Sequence, residues 1–137
     1  MTTANEIQHG GLHYKKSATL QHWDIVEKYG IGYCEGCSTK YVSRWREKNG
    51  LEDLQKAEHY VIKLLELVRE NGRLPRGIVP VYVINEFIET LGPVSYYEKA
   101  FLKGLFRWET LRDLEDLLEI IRVDIIPGAE QEIAGGK

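Results

Sequence analysis

The stretch KYVSRWREKNGLEDLQKAEHY, residues 40–60, decides the fold. Asn49-Gly50 in its middle is a strong turn signal, and the residues on either side have helical spacing. After the turn, apolar residues recur every three or four positions: Leu54, Ala57, Val61, Leu64 and Val68. We therefore predict a helical hairpin whose two helices run over about 33–48 and 51–70.

Helical spacing continues outside the hairpin. Apolar residues predict one helix near 20–29, and Ser95-x-x-Glu98 has the form of a capping box that starts another. Residues 81–91, VYVINEFIETL, have the β-branched content of a strand, but Pro80 suits a first helical turn, so we favour a helix. The sequence therefore predicts an all-α fold, a compact bundle of about six helices that assembles into a homo-oligomer.

The composition is that of an ordinary globular domain. The chain has 137 residues, of which 43% are hydrophobic and 28% are charged, enough for one domain with one core. Its formal net charge of −3 gives no general attraction to phosphate backbones, so duplex DNA is not the expected partner. No apolar run has the length of a membrane span, and the N-terminus lacks the pattern of a signal peptide. We therefore expect no membrane partner and a cytoplasmic location.

Basic and aromatic residues border the apolar stripes of both hairpin helices. The residues along this border are Lys40, Arg44 and Lys48 on the first helix, and Asp53, Lys56 and Tyr60 on the second. Because each residue turns a helix by about 100°, the two rows would meet at the groove between the packed helices. Cations bind phosphates and aromatic rings stack on bases, which suits a nucleotide. The same spacing is typical of solvated helix faces, on which Asp53 and Lys56 would form only a local ion pair.

The order of several residues carries a resemblance to a known family. It runs through His13-Tyr14, Asp24, Gly36, Lys40-Tyr41, Arg44, Lys48-Asn49-Gly50, Asp53-Leu54, Lys56-Ala57 and Tyr60. Over about residues 12–70, this order resembles the small phage-encoded family catalogued as DUF3310, often labelled nucleotide kinase after a member in T7-like phages. The chain departs from the family at Gly36-Cys37, where the family commonly has Gly-Asn.

The resemblance implies a phage protein that binds nucleotides, or acts on them, in the host cytoplasm. It also implies phosphoryl transfer to deoxynucleoside monophosphates without a P-loop, and the sequence has no G-x-x-x-x-G-K-[ST] motif. On this hypothesis the catalytic residues are His13, Asp24 and Asp53. The phosphate-binding residues are Tyr14, Lys40, Arg44, Lys48 and Lys56, and the base-stacking residues are Tyr41, Trp45 and Tyr60.

An alternative function stays open beside the kinase. A non-catalytic protein that sequesters a nucleotide, and so counters a host defence signal, would need the same cations and rings but no catalytic group. Mg²⁺ is the metal that phosphoryl transfer would use, and no spacing in the chain defines its site. We expect no zinc at Cys34-x-x-Cys37, because no pair of histidines at finger-like spacing completes four ligands. His22 lies outside the family pattern and is expected at the surface.

These observations divide the chain into four parts. A flexible arm over 1–11 precedes a nucleotide-binding helical region over 12–72. A helical extension over 73–126 is expected to pack on that region, and residues 127–137 are expected to form a disordered tail.

Overall fold

The computed structural model describes residues 21–73 and 75–136, among which there is no β-strand. The α-helices are α1 His22–Tyr29, α2 Tyr33–Arg44, α3 Leu51–Asn71, α4 Val81–Glu89, α5 Tyr96–Arg107, α6 Leu111–Glu119 and α7 Ile126–Gly135. A π-helical segment, Ile120–Ile125, joins α6 to α7, so this part of the chain forms six helical rods. The predicted all-α bundle of about six helices is confirmed, and its assembly into an oligomer stays a prediction.

The predicted hairpin is formed by α2 and α3, which pack against each other more extensively than any other pair of helices. Gly50 precedes α3 with a φ of 62°, a conformation that glycine adopts without steric strain. The first helix ends earlier than predicted, at Arg44, and a 3₁₀ turn over Trp45–Glu47 leads to Lys48. A helix through Lys48 is wrong because this residue has φ −123° and ψ −106°, far from helical values.

The segment that resembled a strand is helical, as we predicted. Within α4, Val83 and Ile84 are buried together with Phe87 and Ile88, at intervals of three and four residues. Pro80 caps the helix with extended backbone, just before its first residue. The predicted capping box also forms: Ser95 Oγ accepts from the Glu98 backbone N–H at 3.1 Å, and Glu98 Oε2 accepts from the Ser95 N–H at 3.2 Å.

The core lies between the hairpin and the helices that follow it. The fully buried apolar side chains include Val42, Leu54, Ala57, Val61, Phe101, Leu102, Leu105, Phe106 and Leu114. These contacts pack α5 on α2 and α6 on α3. Since the apolar faces of the hairpin are covered in this way, its basic and aromatic borders remain at the surface.

The disordered tail predicted over 127–137 is wrong for residues 127–135, because they belong to the helix Ile126–Gly135. In α7, Ala129 is buried and Glu132 accepts a hydrogen bond from Arg46 Nε at 2.7 Å. The same guanidinium donates two hydrogen bonds of 2.8 Å to Glu98 of α5. Arg46 therefore anchors α7 to the hairpin turn and to α5, through partners that are far away in the sequence.

A buried polar cluster also ties the start of α2 to the later part of the chain. Glu35 accepts a hydrogen bond from Trp108 Nε1 at 2.8 Å, and Arg76 Nε lies 3.4 Å from the same carboxylate. The Arg76 guanidinium carbon is 4.7 Å from the Trp108 ring centroid. Burial lowers the pKa of Arg76, and the charge of Glu35 opposes this shift. The cluster therefore gives the buried Glu35 carboxylate a hydrogen bond and a counter-charge, without which its burial would cost free energy.

Two sets of predictions concern residues outside 21–73 and 75–136. They are the flexible arm over 1–11 and the site residues His13 and Tyr14, which stay predictions. In the part of the chain that the structure describes, no helix combines the length and the apolarity needed to cross a bilayer.

Candidate functional site

The ring of Tyr41 is surrounded by three of the predicted phosphate-binding cations. Lys40 Nζ lies 4.8 Å from the ring centroid, the Arg44 guanidinium carbon 4.9 Å and Lys56 Nζ 5.4 Å. Cations within about 6 Å of an aromatic ring are attracted to its face. Lys56 comes from α3 and the other two cations from α2, so the packing of the hairpin brings them together. We call Lys40, Tyr41, Arg44, Lys56 and Tyr60 the Tyr41 site.

Three tyrosine rings form a row that begins at this site. Tyr60 of α3 stacks on Tyr41 with 6.1 Å between the ring centroids and 16° between the ring planes. Tyr33, at the start of α2, meets Tyr60 edge-on at 5.8 Å and is 76% exposed. A hydrogen bond with Tyr33 raises the pKa of Tyr60, so the Tyr60 hydroxyl keeps its proton near pH 7. The row gives the surface of the hairpin a continuous aromatic strip.

A depression of about 440 Å³ opens beside Tyr41 and Tyr60. It is lined otherwise by Glu52, Gln55, Lys56 and His59 of α3. Its volume is in the range of small-ligand sites, and it contains both hydrogen-bonding groups and rings. Glu52, Gln55 and His59 were not predicted as site residues, although their intervals of three and four residues place them on one face of a helix.

Asp53 lies beneath this site and has no exposed surface. Its Oδ2 is 3.7 Å from Arg44 Nε and accepts a hydrogen bond from the Asn49 backbone N–H at 3.2 Å. The alternative in which Asp53 pairs with Lys56 is not observed, because Lys56 Nζ lies 3.7 Å from Glu52. Asp53 therefore positions Arg44 and supports the first turn of α3, where a negative charge is favourable.

The Tyr41 site and most of the hairpin lie within a stretch that matches a protein-family model. Residues 9–62 match the DUF3310 family model. The model is described as a protein of unknown function, and comparisons with curated proteins and with solved structures give no match. The DUF3310 segment contains α1, α2 and the first half of α3, and with them the whole Tyr41 site. The resemblance noted over residues 12–70 is thus confirmed in part, as a match to this family model over residues 9–62.

Three predicted site residues of the DUF3310 segment are placed outside the group around Tyr41. Trp45 is only 3% exposed and its Nε1 donates to Glu98 at 3.1 Å, so its ring belongs to the core and offers no face to a base. Lys48 is exposed in the turn between the helices. Asp24 lies in the first turn of α1, where it accepts a hydrogen bond from the Gln21 backbone N–H at 3.0 Å.

His22 is half-buried, not fully exposed as expected, and its ring lies near Phe87 and Phe106. Its Nε2 lies 2.7 Å from Thr39 Oγ1, which itself donates to a backbone carbonyl one turn earlier at 2.8 Å. Burial lowers the pKa of His22 to about 4, and the charges of Lys40 and Arg44 add to this shift. The ring is therefore neutral near pH 7 and donates its Nε2–H to Thr39, because the hydroxyl proton is already used.

A second depression of about 190 Å³ borders Lys40. It is lined by His22, Trp23, Val26, Glu27, Gly32, Tyr33, Gly36, Cys37 and Lys40. Tyr33 connects this depression to the tyrosine row. Lys40 therefore lines the smaller depression, and its Nζ also lies over the ring of Tyr41, which lines the larger one.

The two cysteines are free thiols on α2, Cys34 buried and Cys37 half-buried. Burial raises the pKa of Cys34, which disfavours the thiolate that metal binding or nucleophilic attack requires. Across residues 21–73 and 75–136, no group of three His, Cys, Asp or Glu side chains is arranged to hold a metal ion.

Proposed function

We propose that the DUF3310 segment binds the phosphate end of a nucleotide at the Tyr41 site, in a phage-encoded protein. The observation that supports this most directly is the convergence of Lys40, Arg44 and Lys56 on one aromatic ring. Cations suit phosphate oxygens, and the neighbouring tyrosine faces suit a base.

The charges around the site favour an anionic ligand at Lys40 in particular. Arg44 and Lys56 each have a carboxylate within 3.7 Å, from Asp53 and Glu52. Within the described ranges, Lys40 has a ring contact but no carboxylate at ion-pair distance. A phosphate would therefore supply a counter-charge that residues 21–73 and 75–136 do not.

The resemblance suggests a reaction, namely phosphoryl transfer to a deoxynucleoside monophosphate. The cations of the Tyr41 site would neutralise charge on the transferring group, which is the main requirement of this chemistry. Sequestration without chemistry is the second candidate. It is favoured by the placement of Asp24 and Asp53, since each accepts a backbone N–H at the start of a helix and Asp53 is fully buried.

Calorimetry with deoxynucleoside monophosphates and triphosphates tests the binding proposal. We expect Lys40→Ala and Lys56→Ala each to weaken binding about tenfold or more, the usual worth of a charge-assisted hydrogen bond. Lys28→Ala is the matched control, because Lys28 Nζ also lies over a tyrosine ring, 5.5 Å from the Tyr29 centroid, outside the Tyr41 site. Unchanged affinity in both site variants, or an equal loss in the control, would contradict the proposal.

Product analysis separates the two candidates. The protein is incubated with a labelled deoxynucleoside monophosphate and a triphosphate donor, and the nucleotides are separated by chromatography. Formation of the diphosphate, lost in Lys40→Ala, supports phosphotransfer. Tight binding with full recovery of intact nucleotide supports sequestration.

A further inference from the structure

We propose that the outer side of α4 is the surface through which two copies of this chain form a symmetric dimer. This inference does not depend on the proposed function, because α4 lies beyond the DUF3310 segment. It follows from exposed apolar side chains at the start of α4 and from the opposite charges on either side of them.

Three large apolar side chains are exposed in one short stretch of the chain. Ile78 is 47% exposed, Val81 46% and Tyr82 67%. We call these three residues the α4 patch. Val83 and Ile84, which come next, are buried, so the first turn of α4 is apolar both towards the core and towards solvent. Apolar side chains grouped at a surface are typical of protein interfaces, in which tyrosine often contributes much of the binding energy.

The bundle covers only the inner side of α4. Its inner side chains pack mainly on α5, and Phe87 also contacts the ring of His22 at 5.8 Å between centroids. The residues on the outer side are all exposed: Val81, Tyr82, Asn85, Glu86 and Glu89. The α4 patch is therefore accessible to a second protein chain.

Opposite charges flank the α4 patch. Glu86 lies one turn after Tyr82, on the same exposed side of the helix. Before the patch, Arg107 of α5 donates from Nη1 to the carbonyl oxygen of Val79 at 2.6 Å. Glu86 and Arg107 are both exposed, and within residues 21–73 and 75–136 neither has an opposite charge at ion-pair distance.

A two-fold axis through the α4 patch would pair these charges between the copies. In a two-fold interface each surface meets an identical one, so the first turns of the two α4 helices run antiparallel. With Tyr82 near the axis, Glu86 lies about 6 Å from it along the helix, and Val79 lies on the opposite side. Glu86 of each copy then faces the segment that Arg107 of the other copy contacts. Two ion pairs would thus border one apolar centre, as is usual in interfaces.

The charge pattern favours a second copy of the chain over an unrelated partner. One negative and one positive group stand on opposite sides of the α4 patch, so the surface is complementary to itself after a two-fold rotation. A partner with a uniformly basic or acidic surface would match one of the two groups and be repelled by the other.

Sedimentation equilibrium of the full chain over a wide range of concentrations tests the dimer. We expect the native chain to reach twice the mass of one chain. Tyr82→Asp should weaken association about tenfold or more, because it places a charge at the centre of the apolar contact. Tyr96→Asp is the matched control, since Tyr96 is 77% exposed but lies at the start of α5, and it should leave the dimer intact. Circular dichroism verifies that each variant is folded.

Charge reversal assigns the orientation of the two copies. Glu86→Arg and Arg107→Glu should each weaken the dimer, and the double variant should restore it. The loss of the hydrogen bond from Arg107 to Val79 cannot explain such a rescue, because Glu86→Arg does not replace that bond. A native chain that stays monomeric, an assembly that Tyr82→Asp leaves intact, or a double variant that associates no better than the single ones would overturn the proposal.

Discussion

At the scale of single residues, neighbours in the sequence have different environments. Tyr41 is half-buried and contacts three cations, whereas Trp45, one turn later, is in the core and donates to Glu98. Both were equally good candidates for base stacking by residue type and spacing. Burial separates them, because a ring covered on both faces cannot stack on a ligand.

His22 is expected to make the stability of the protein depend on pH. Its pKa falls from 6.5 to about 4 on folding, so the folded state keeps it neutral while the unfolded state takes up a proton. The contribution of His22 is complete above pH 6.5 and is lost as the pH falls from 6.5 towards 4. From this shift, we expect a loss on the order of 2–3 kcal/mol.

Urea unfolding at pH 7, 5.5 and 4.5 checks this prediction. The glutamine in His22→Gln keeps a donor towards Thr39 but does not titrate. As the pH falls from 7 to 4.5, the free energy of unfolding of this variant should therefore decrease less than that of the native chain. His59→Gln is the control, because His59 is exposed on α3. Equal pH dependence in His22→Gln and the native chain would show that His22 is not the titrating group.

At the scale of helices, long-range contacts hold the last helix, α7, on the bundle. Pro127 lies inside the continuous helix from Leu111 to Gly135, where it cannot donate a backbone hydrogen bond. The π-helical segment Ile120–Ile125 precedes it, which is consistent with a local adjustment of the helix. The contacts of Arg46 and Ala129 then hold α7 on the bundle.

We expect removal of residues 127–137 to destabilise the protein, contrary to what a disordered tail would do. The truncation removes the buried Ala129 and one of the two carboxylates that bind Arg46. The expected loss is about 1–3 kcal/mol in the free energy of unfolding, from lost burial and charge-assisted hydrogen bonds. Chemical denaturation measures it.

Glu130→Gln in the full-length chain is the control for the loss of a charge in α7, because Glu130 is exposed. It should change the stability by less than about 0.5 kcal/mol. A truncated chain as stable as the full-length protein would mean that α7 does not contribute to folding.

At the scale of the whole molecule, buried polar contacts connect the DUF3310 segment to the helices after it. Glu35 belongs to this segment, whereas Trp108 and Arg76 lie beyond it. We expect the two parts to unfold together, because separating them would leave the Glu35 carboxylate without its donors.

Trp108→Phe tests this connection by removing the Nε1–H donor together with part of the buried indole ring. We expect a loss of about 2 kcal/mol, the cost of a buried carboxylate that loses a hydrogen bond. In a double-mutant cycle with Glu35→Gln, the coupling free energy should exceed about 1 kcal/mol. Additive effects of the two changes would mean that the 2.8 Å contact does not contribute to stability.

The sequence by itself determined most of the helices and the pairing of α2 with α3. Helical periodicity and the Asn49-Gly50 and Ser95-x-x-Glu98 signals act over a few residues, so a local pattern contains the information. It also indicated Lys40, Arg44, Lys56, Tyr41 and Tyr60 as neighbours, because they border stripes that must face each other.

Only the tertiary structure decided the depth of each side chain. Trp45 and His22 are covered by α5 and by Thr39 of α2, and Glu132 meets Arg46 across 86 residues of chain. Asp53 is buried where the turn brings Asn49 and Arg44 to it. The spacing of residues along one helix fixes the face on which a side chain lies. Whether that face is buried depends on the elements that pack against it, and those elements come from distant parts of the sequence.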